Sequence, residues 1–549
     1  MNKNSVFLDK KLFWVILILA FILRFYRLGE IPLSLDWDEA SNAYNAYSIL
    51  KTGRDEYGLF LPITNRSFED YKPPLYMYLN IPTVAVFGLT AFAARLPSAI
   101  FGFLTVPIIY FLAKKLFVGS KYQFSIFPSK TRLASGGNFQ FSIADISALL
   151  LAISPWHIQF SRVGFEATVG LFFAVSAITA FLYGLNNKKW LIAAGILLGI
   201  SAYSYHTERI FVPLLFMAAF IIYKKEILAI SKKYLAAFAI ITILIGLPLV
   251  LLIPPKVILQ RFEVTTGRPR LEDIEKSIRF ILEDHEQNIQ FGEIIHNRRL
   301  IIGQTYLGNY LSHFDFNFLF TKGDDNFRHH IGGIGMFYLF ELPLFLYGIY
   351  LLVKKRTGQS LFLLSWLLLS PVAASPATPN PHANRALPMV VAFEIIAAFA
   401  FVSIFLTDFK FKKQVLSLFS LWIIFSLAIY LHNYYVHYPI DKASFWQYGY
   451  SQAALESVKL KDQFEKINVD HSIEQAYIFW LFNTGYDPAS YQRLGTRNHF
   501  DKYYFDAKPP TNPAELFIAD TGNFPGGFKV IKTIYYPDGS QALKIGHPR

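Results

Sequence analysis

No cysteine occurs in the 549 residues, so neither disulfides nor thiolate chemistry can be invoked. Any part of the chain outside the cytoplasm must fold without covalent staples. Charge is also scarce. Asp, Glu, Lys and Arg make up 17% of the chain, against about a quarter in soluble domains. Mean hydropathy is +0.32. No internal repeat and no low-complexity segment is present, which argues against solenoids and repeat-built transporters. The net charge of +13 forms no single basic face, so nucleic acid is not expected as a partner. What is abundant is apolar: 53% of residues are hydrophobic and 17% aromatic. That balance predicts a polytopic α-helical protein of the lipid bilayer.

Apolar stretches fall near 12–28, 95–113, 142–157, 166–184, 190–205, 209–223, 234–253, 335–353, 360–375, 386–407 and 413–431. Lysine and arginine cluster in alternate connections: Lys114/Lys115/Lys121/Lys130/Arg132, Lys188/Lys189, Lys224/Lys225/Lys232/Lys233, Lys354/Lys355/Arg356 and Lys410/Lys412/Lys413. The N-terminus carries Lys3, Lys10 and Lys11. By the positive-inside rule this sets about eleven transmembrane helices, N-terminus inside and C-terminus outside. The stretch Pro74 to Gly88 is too short to span and contains Pro82, so it reads as an interfacial helix. Residues 29–94 and 254–334 then form outer loops, the second with helical patterning, closing a membrane domain over 1–435. Residues 436–549 read as an extracytoplasmic α/β domain. There "QYGYSQAALESVKLKDQF" predicts a helix, "EQAYIFWLF" and "AELFIAD" buried strands, and "FKVIKTIYYPDGSQALKIG" a hairpin turning at Asp538-Gly539.

The stretch "IPLSLDWDEASNAYNAYSILKTG" follows the first apolar run and concentrates Asp36, Asp38 and Glu39. Its spacing is helical, and Asp36 with Glu39 three residues on has the form of a capping box. One cap does not explain three acids. Other ionisable residues gather at the same predicted rim. They are Lys72 in "EDYKPPLY", Arg95 in "ARLPSAIFG", Arg162 and Glu166 in "SPWHIQFSRVGFEATVG", His206, Glu208 and Arg209 in "YSYHTERIFVP", and His382 and Arg385 in "PNPHANRALP". Ionisable groups at span ends facing a bundle interior are functional candidates. Carboxylates supply a general base, and Lys and Arg bind phosphate. At a lipid boundary that pairing suits a lipid-linked phosphate substrate and group transfer with the lipid phosphate leaving.

"LDWDEA", "KPPLYMY", "ARLPSAIFG" and "SPWHIQFSRVGFE", in that order, resemble the GT-C glycosyltransferase superfamily. Among its members the motifs resemble those of the protein O-mannosyltransferases and the aminoarabinose transferases of lipid A. The resemblance covers about residues 10–435. It implies inverting transfer of a monosaccharide from a polyprenyl-phosphate donor to a hydroxyl of a lipid, glycan or protein. The implied site is on the outer face of the cell membrane. It also implies roles: Asp38 as base, Glu39 positioning it or binding acceptor, and Glu166 as a second acid. Lys72 and Arg95 would serve the donor phosphate, with Arg209 and Arg385 as further cations nearby; His206 and His382 are substrate-binding candidates beside them. Aminoarabinose transferases place an acid directly before the KPP lysine, where it can meet a metal. Here Tyr71 stands there and Asp70 one further back. A divalent metal is therefore no firm expectation. "KGDDNFRHH" (Asp324, Asp325, His329, His330) matches no metal motif and reads as a solvated loop. A flippase of lipid-linked sugars is the competing reading, and a non-catalytic assembly protein on the same fold a third.

Overall fold

The structure, a computed structural model, describes residues 3–68, 70–117, 123–125, 140–254 and 271–549. Lys121, Lys130, Arg132 and the stretch 255–270 of the second long loop lie outside the described residues. Two compact units emerge. The first contains Met1–Leu23, Phe103–Gln159 and Gly170–Ser426; the second contains Arg24–Gly102, Phe160–Val169 and Leu427–Arg549.

Each of the eleven apolar stretches carries a helix: Lys3–Phe25, Ala91–Leu116, Ile143–Ile153 followed by Pro155–Ser161, Glu166–Gly184, Trp190–Ser201, Glu208–Ile222, Lys232–Leu252, Glu341–Lys355, Gly358–Leu369, Met389–Leu406 and Lys412–His432. Among the described residues, five helices are long and apolar enough to cross a bilayer by themselves. A sixth span arises if the pair bent by 59° at Ser154 is taken as one. In the first unit, Met389–Leu406 is buried over 83% of its most apolar window and Lys232–Leu252 over 11%. The first is therefore a central helix. The second turns Ile240, Ile243, Leu244 and Leu251 outward, as a lipid-facing helix does. It packs on Trp190–Ser201 through Gly195 and Gly199, a small-xxx-small pair. A Cβ at Gly195 would sit 2.8 Å from the Phe238 carbonyl oxygen, and one at Gly199 would sit 2.7 Å from Ile245.

In the second unit the acidic stretch is the helix Trp37–Thr52. The capping box is present. Asp36 Oδ1 accepts the Glu39 N–H at 2.8 Å, and Glu39 Oε2 accepts the Asp36 N–H at 3.1 Å. Gly53, at φ 70°, stops the helix. Leu75–Phe87 is helical as expected, and too short to span.

The C-terminal residues form a six-stranded mixed sheet. Lys466–Asp470 is central and parallel to both Tyr503–Ala507 and Glu515–Asp520. Gln541–Pro548 lies antiparallel between Glu515–Asp520 and Phe528–Tyr535, making the hairpin read from the sequence. Tyr450–Leu460 is the expected helix. One expectation fails: "EQAYIFWLF" is not a strand but the helix Ala476–Thr484. A short, wholly apolar run carries no periodicity to separate the two states. Every residue from Ala476 to Phe482 is buried, because this helix is covered by Tyr450–Leu460 and by the acidic helix. One core accordingly contains Ala40, Ala43 and Tyr44 together with Phe479, Trp480 and Ile518. Tyr44 donates to the Tyr486 carbonyl at 2.9 Å, and Gln492 donates to Ser48, Thr52 and the Asp55 carbonyl.

The loop after the acidic helix buries Glu56. Its Oε1 accepts from Asn45 at 3.0 Å, and its N–H donates to Asn45 Oδ1 at 2.9 Å. Burial pushes this carboxyl up to about 7; Asp55 adds to the rise, while the Asn45 hydrogen bond, Arg497 and Tyr477 oppose it. A carboxyl that binds its proton more tightly folded than unfolded contributes stability at low pH. That contribution is lost as pH rises from about 4.5 to about 7. At ~1.4 kcal/mol per pKa unit the loss is at most about 3.5 kcal/mol. Glu56→Gln should therefore match wild type in thermal unfolding near pH 5 and exceed it near pH 8. Equal differences at both pH values would contradict this.

Candidate active site

The strands Asn65–Ser67 and Asp70–Lys72 pair as an antiparallel hairpin, and Lys72 ends it immediately before Pro73-Pro74. Its ammonium forms an ion pair with Asp38 Oδ1 and lies 4.0 Å from Glu166 Oε1. Glu166 opens the helix Glu166–Gly184, where an acid suits the dipole. The Glu166 side chain accepts from Asn42 Nδ2 at 3.2 Å, and Asn42 Oδ1 accepts from Asn65 Nδ2 at 2.7 Å. Asp38, Lys72 and Glu166 thus form one cluster, held by a line of buried asparagines. Side-chain exposure is 12% for Lys72, 10% for Glu166 and 36% for Asp38, so Asp38 is the acid that opens to an incoming group. Burial alone would lower the Lys72 pKa. The carboxylates of Asp38 and, next, Glu166 outweigh it and hold the group above the ordinary lysine range, a cation at every working pH.

Glu39 has a different occupation. It is buried and paired with Arg95, which is also fully buried. Arg95 Nε donates to Glu39 Oε1 at 2.9 Å and Nη2 to Oε2 at 3.2 Å. The remaining guanidinium N–H groups reach the carbonyls of Leu28 (3.2 Å), Pro32 (2.8 Å) and Ser34 (2.6 Å). All five donors of the arginine are spent. Glu39 Oε1 also accepts the Gly164 N–H at 2.8 Å. This reassigns both residues: Arg95 has no donor left for a phosphate, and Glu39 no free oxygen for a proton. The pair ties three chain segments together beneath Asp38. Gly164 is required there, because a Cβ would stand 2.9 Å from Glu39 Cγ.

Arg162 is likewise structural. Buried in the second unit, it donates to the Tyr434 hydroxyl at 3.0 Å and stacks its guanidinium on Tyr434 and Tyr435. The other sequence candidates belong to the first unit. Arg209 donates to the Ala202 carbonyl at 2.8 Å and lies 3.5 Å from His206 Nδ1. Arg385 Nη1 lies 3.4 Å from the Thr378 carbonyl.

The solvated-loop reading of "KGDDNFRHH" fails for three of its residues, since Asp324, His329 and His330 are all buried. Asp324 Oδ2 contacts His329 Nδ1 at 2.6 Å and accepts the Ala383 N–H at 2.8 Å. Asp324, His329 and His382 bring one ligand atom each within 4.8 Å of one another, and this trio could hold a divalent metal. Burial alone would raise the Asp324 pKa. His329, by charge and hydrogen bond, and the Ala383 N–H instead pull it down to about 2. Burial and the charges of His329 and Arg385 push His382 down. A carboxylate and a neutral imidazole are the forms that ligate. The sequence hid this trio because its third member lies far along the chain.

No family model matches the sequence. An uncharacterized protein of Aquifex aeolicus (strain VF5) is 33% identical over 107 residues, which are 19% of this chain and 24% of that protein. Among solved structures, ArnT from Cupriavidus metallidurans bound to undecaprenyl phosphate aligns with 99% of this chain and 98% of its own, at TM-score 0.56 and 13% identity. The same ArnT in the apo state gives TM-score 0.53 at 12% identity. The archaeal oligosaccharyltransferase AglB from Archaeoglobus fulgidus, in complex with an inhibitory peptide and a dolichol-phosphate, gives TM-score 0.50 at 15% identity. That alignment covers 88% of this chain and 64% of AglB. The chain shares its fold with ArnT.

Within this fold Asp38 and Lys72 meet in space, while Arg95 is spent on Glu39 and three carbonyls. Arg95→Met leaves the buried Glu39 charge unpaired and should lower stability by about 3–5 kcal/mol. Arg95→Lys should fall between, since one ammonium cannot reach every acceptor. Thermal unfolding in detergent checks the order. If polyprenyl-phosphate binding by the folded fraction of Arg95→Lys fell while stability held, the structural assignment would be overturned.

Proposed function

We propose that the protein is a membrane glycosyltransferase. It transfers a monosaccharide from a polyprenyl-phosphate donor to a hydroxyl acceptor, with inversion, at the extracytoplasmic face. The observation that carries this reading is the Asp38–Lys72–Glu166 cluster, a half-exposed carboxylate paired with a largely covered lysine just before an apolar helix. The fold shared with a protein solved with undecaprenyl phosphate, and with another solved with dolichol-phosphate, supports the donor class.

An ammonium has three donors. Asp38 and Glu166 occupy two directions at Lys72, leaving the third for a phosphate oxygen. In the reaction the acceptor oxygen bonds to the anomeric carbon as the bond from that carbon to the phosphate oxygen breaks. The bonding pair leaves with the phosphate, which gains charge, and Lys72 stabilises that charge where it grows. The acceptor proton passes to Asp38. An ordinary aspartate is a weak base toward a hydroxyl, so the proton moves late, as the new C–O bond forms. The sugar passes through an oxocarbenium-like state. Attack opposite the leaving phosphate gives inversion. Glu166, fixed by Asn42, acts here by positioning Lys72. His206, Arg209, His382 and Arg385 enter as donor-binding candidates by family resemblance.

Asp38→Asn should lower kcat by about 10²–10⁴ with donor binding retained. Lys72→Met should cost about 10²–10³ in kcat, through loss of a charge-stabilising donor. Transfer is measured on purified protein with radiolabelled polyprenyl-phosphate mannose, glucose and aminoarabinose and a cell-envelope acceptor pool. Unchanged turnover in Asp38→Asn would reject the base.

A further inference from the structure

One cavity of about 580 Å³ in the second unit is used by none of the chemistry above. Its size is that of a small-ligand site, about 300–1,000 Å³. Trp37, one residue before Asp38, lines it together with Tyr477 and Phe505. Glu474, Arg497 and Asn498 supply polar groups between these rings, and Arg497 lies over the Tyr477 ring at 5.7 Å. The backbone around it is strained. Nine non-glycine residues have positive φ among the described residues, and three of them line this cavity: Phe68 (60°), Gln475 (53°) and Asp506 (53°). An aromatic or flexible polar side chain in the left-handed region costs energy, and such residues concentrate where a binding surface fixes them.

We propose that this cavity is the acceptor subsite and that its occupant is a saccharide; the inference rests on the glycosyltransferase reading above. Three features select that class. Flat aromatic faces beside donors and acceptors match a sugar ring, whose apolar C–H face and hydroxyl rim need both. Glu474 and Asp506 stand against Arg497, and His471 is paired with Asp470 at 3.2 Å, so the lining offers no cationic excess to an anionic acceptor such as a phosphorylated lipid head. The strand leading to Phe505 and Asp506 is paired on both sides at Tyr503 and Tyr504, by Lys466–Asp470 and His499–Phe500, and the Phe505 N–H is spent on the Asn498 carbonyl at 2.8 Å, so the backbone at Phe505 is already hydrogen-bonded and does not invite an extended peptide. A sugar held over Trp37 presents its hydroxyls next to the helix turn that carries Asp38.

The full-length protein in detergent would be titrated with cellotriose, mannotriose, xylotriose and chitotriose while tryptophan fluorescence is followed. The expected result is a saturable change with at least one trisaccharide that is absent in Trp37→Phe. In the double variant Glu474→Gln/Asn498→Ala, both side chains being exposed, the Kd should rise about tenfold with folding intact. In transfer assays the same double variant should raise the KM for that sugar and leave kcat and donor binding unchanged. The inference is overturned if no trisaccharide gives a Trp37-dependent signal, or if a Ser/Thr peptide or a phosphorylated lipid competes for the site instead. Sugar binding is read without turnover. Binding retained by a protein that transfers nothing would therefore sink the glycosyltransferase reading and leave the saccharide site standing.

Discussion

The second unit is organised around one buried ion pair, Glu39 with Arg95. Two charges removed from water cost several kcal/mol each unless every lone pair and every N–H is matched. Here they are matched: five arginine donors meet two carboxylate oxygens and three carbonyls. The carbonyls come from Leu28, Pro32 and Ser34, so the pair fixes the irregular segment that leads into the acidic helix. The same carboxylate closes the capping box with Asp36 and accepts the Gly164 N–H. One side chain therefore sets the start of the helix, its approach to the helix Ala91–Leu116, and the place of the turn that precedes Glu166.

That arrangement explains why neighbouring acids take opposite roles. Successive residues on a helix point about 100° apart. With Glu39 turned inward to Arg95, Asp38 turns toward Lys72 and solvent. Asn42, one turn on from Asp38, shares its face and reaches Glu166. The cluster is thus positioned by Asn42, hydrogen-bonded through both ends of its amide, and by the fully matched Glu39–Arg95 pair. Small displacement of such a scaffold is costly, which in the proposed reaction would hold a weak base in line with the reacting carbon.

Much of this was legible in the chain. The apolar runs gave the helices, and Asp36-x-x-Glu39 gave the cap. The KPP and acidic motifs named Asp38 and Lys72 before any geometry placed them together. Spacing alone could not separate a charge that binds substrate from one that holds a loop, so Glu39 and Arg95 entered as catalytic and phosphate-binding candidates. Asn42 carried a usable signal, at i+4 from Asp38, whereas Asn65 carried none. "EQAYIFWLF" defeated the strand reading because a helix buried all round shows no stripe. Asp324, His329 and His382 were hidden differently: burial and long-range contact, neither of which a loop sequence displays, bring the third residue to the first two.

The C-terminal segment is remote from Asp38 in sequence but packs directly on its helix. Ala476–Thr484 buries its apolar surface partly against the helix that bears Asp38, so the sheet domain and the acid share a core. The next residues outward on that contact, Trp37 and Tyr477, are the ones that wall the cavity. A domain packed on the helix that bears Asp38 cannot drift relative to that carboxylate. In the proposed reaction an acceptor bound in such a wall would be registered to Asp38 by the same hydrophobic contacts that hold the domain. Strain at Phe68, Gln475 and Asp506 is tolerable for the same reason: a core of this size over-determines their backbone, and the shape of the cavity follows from it.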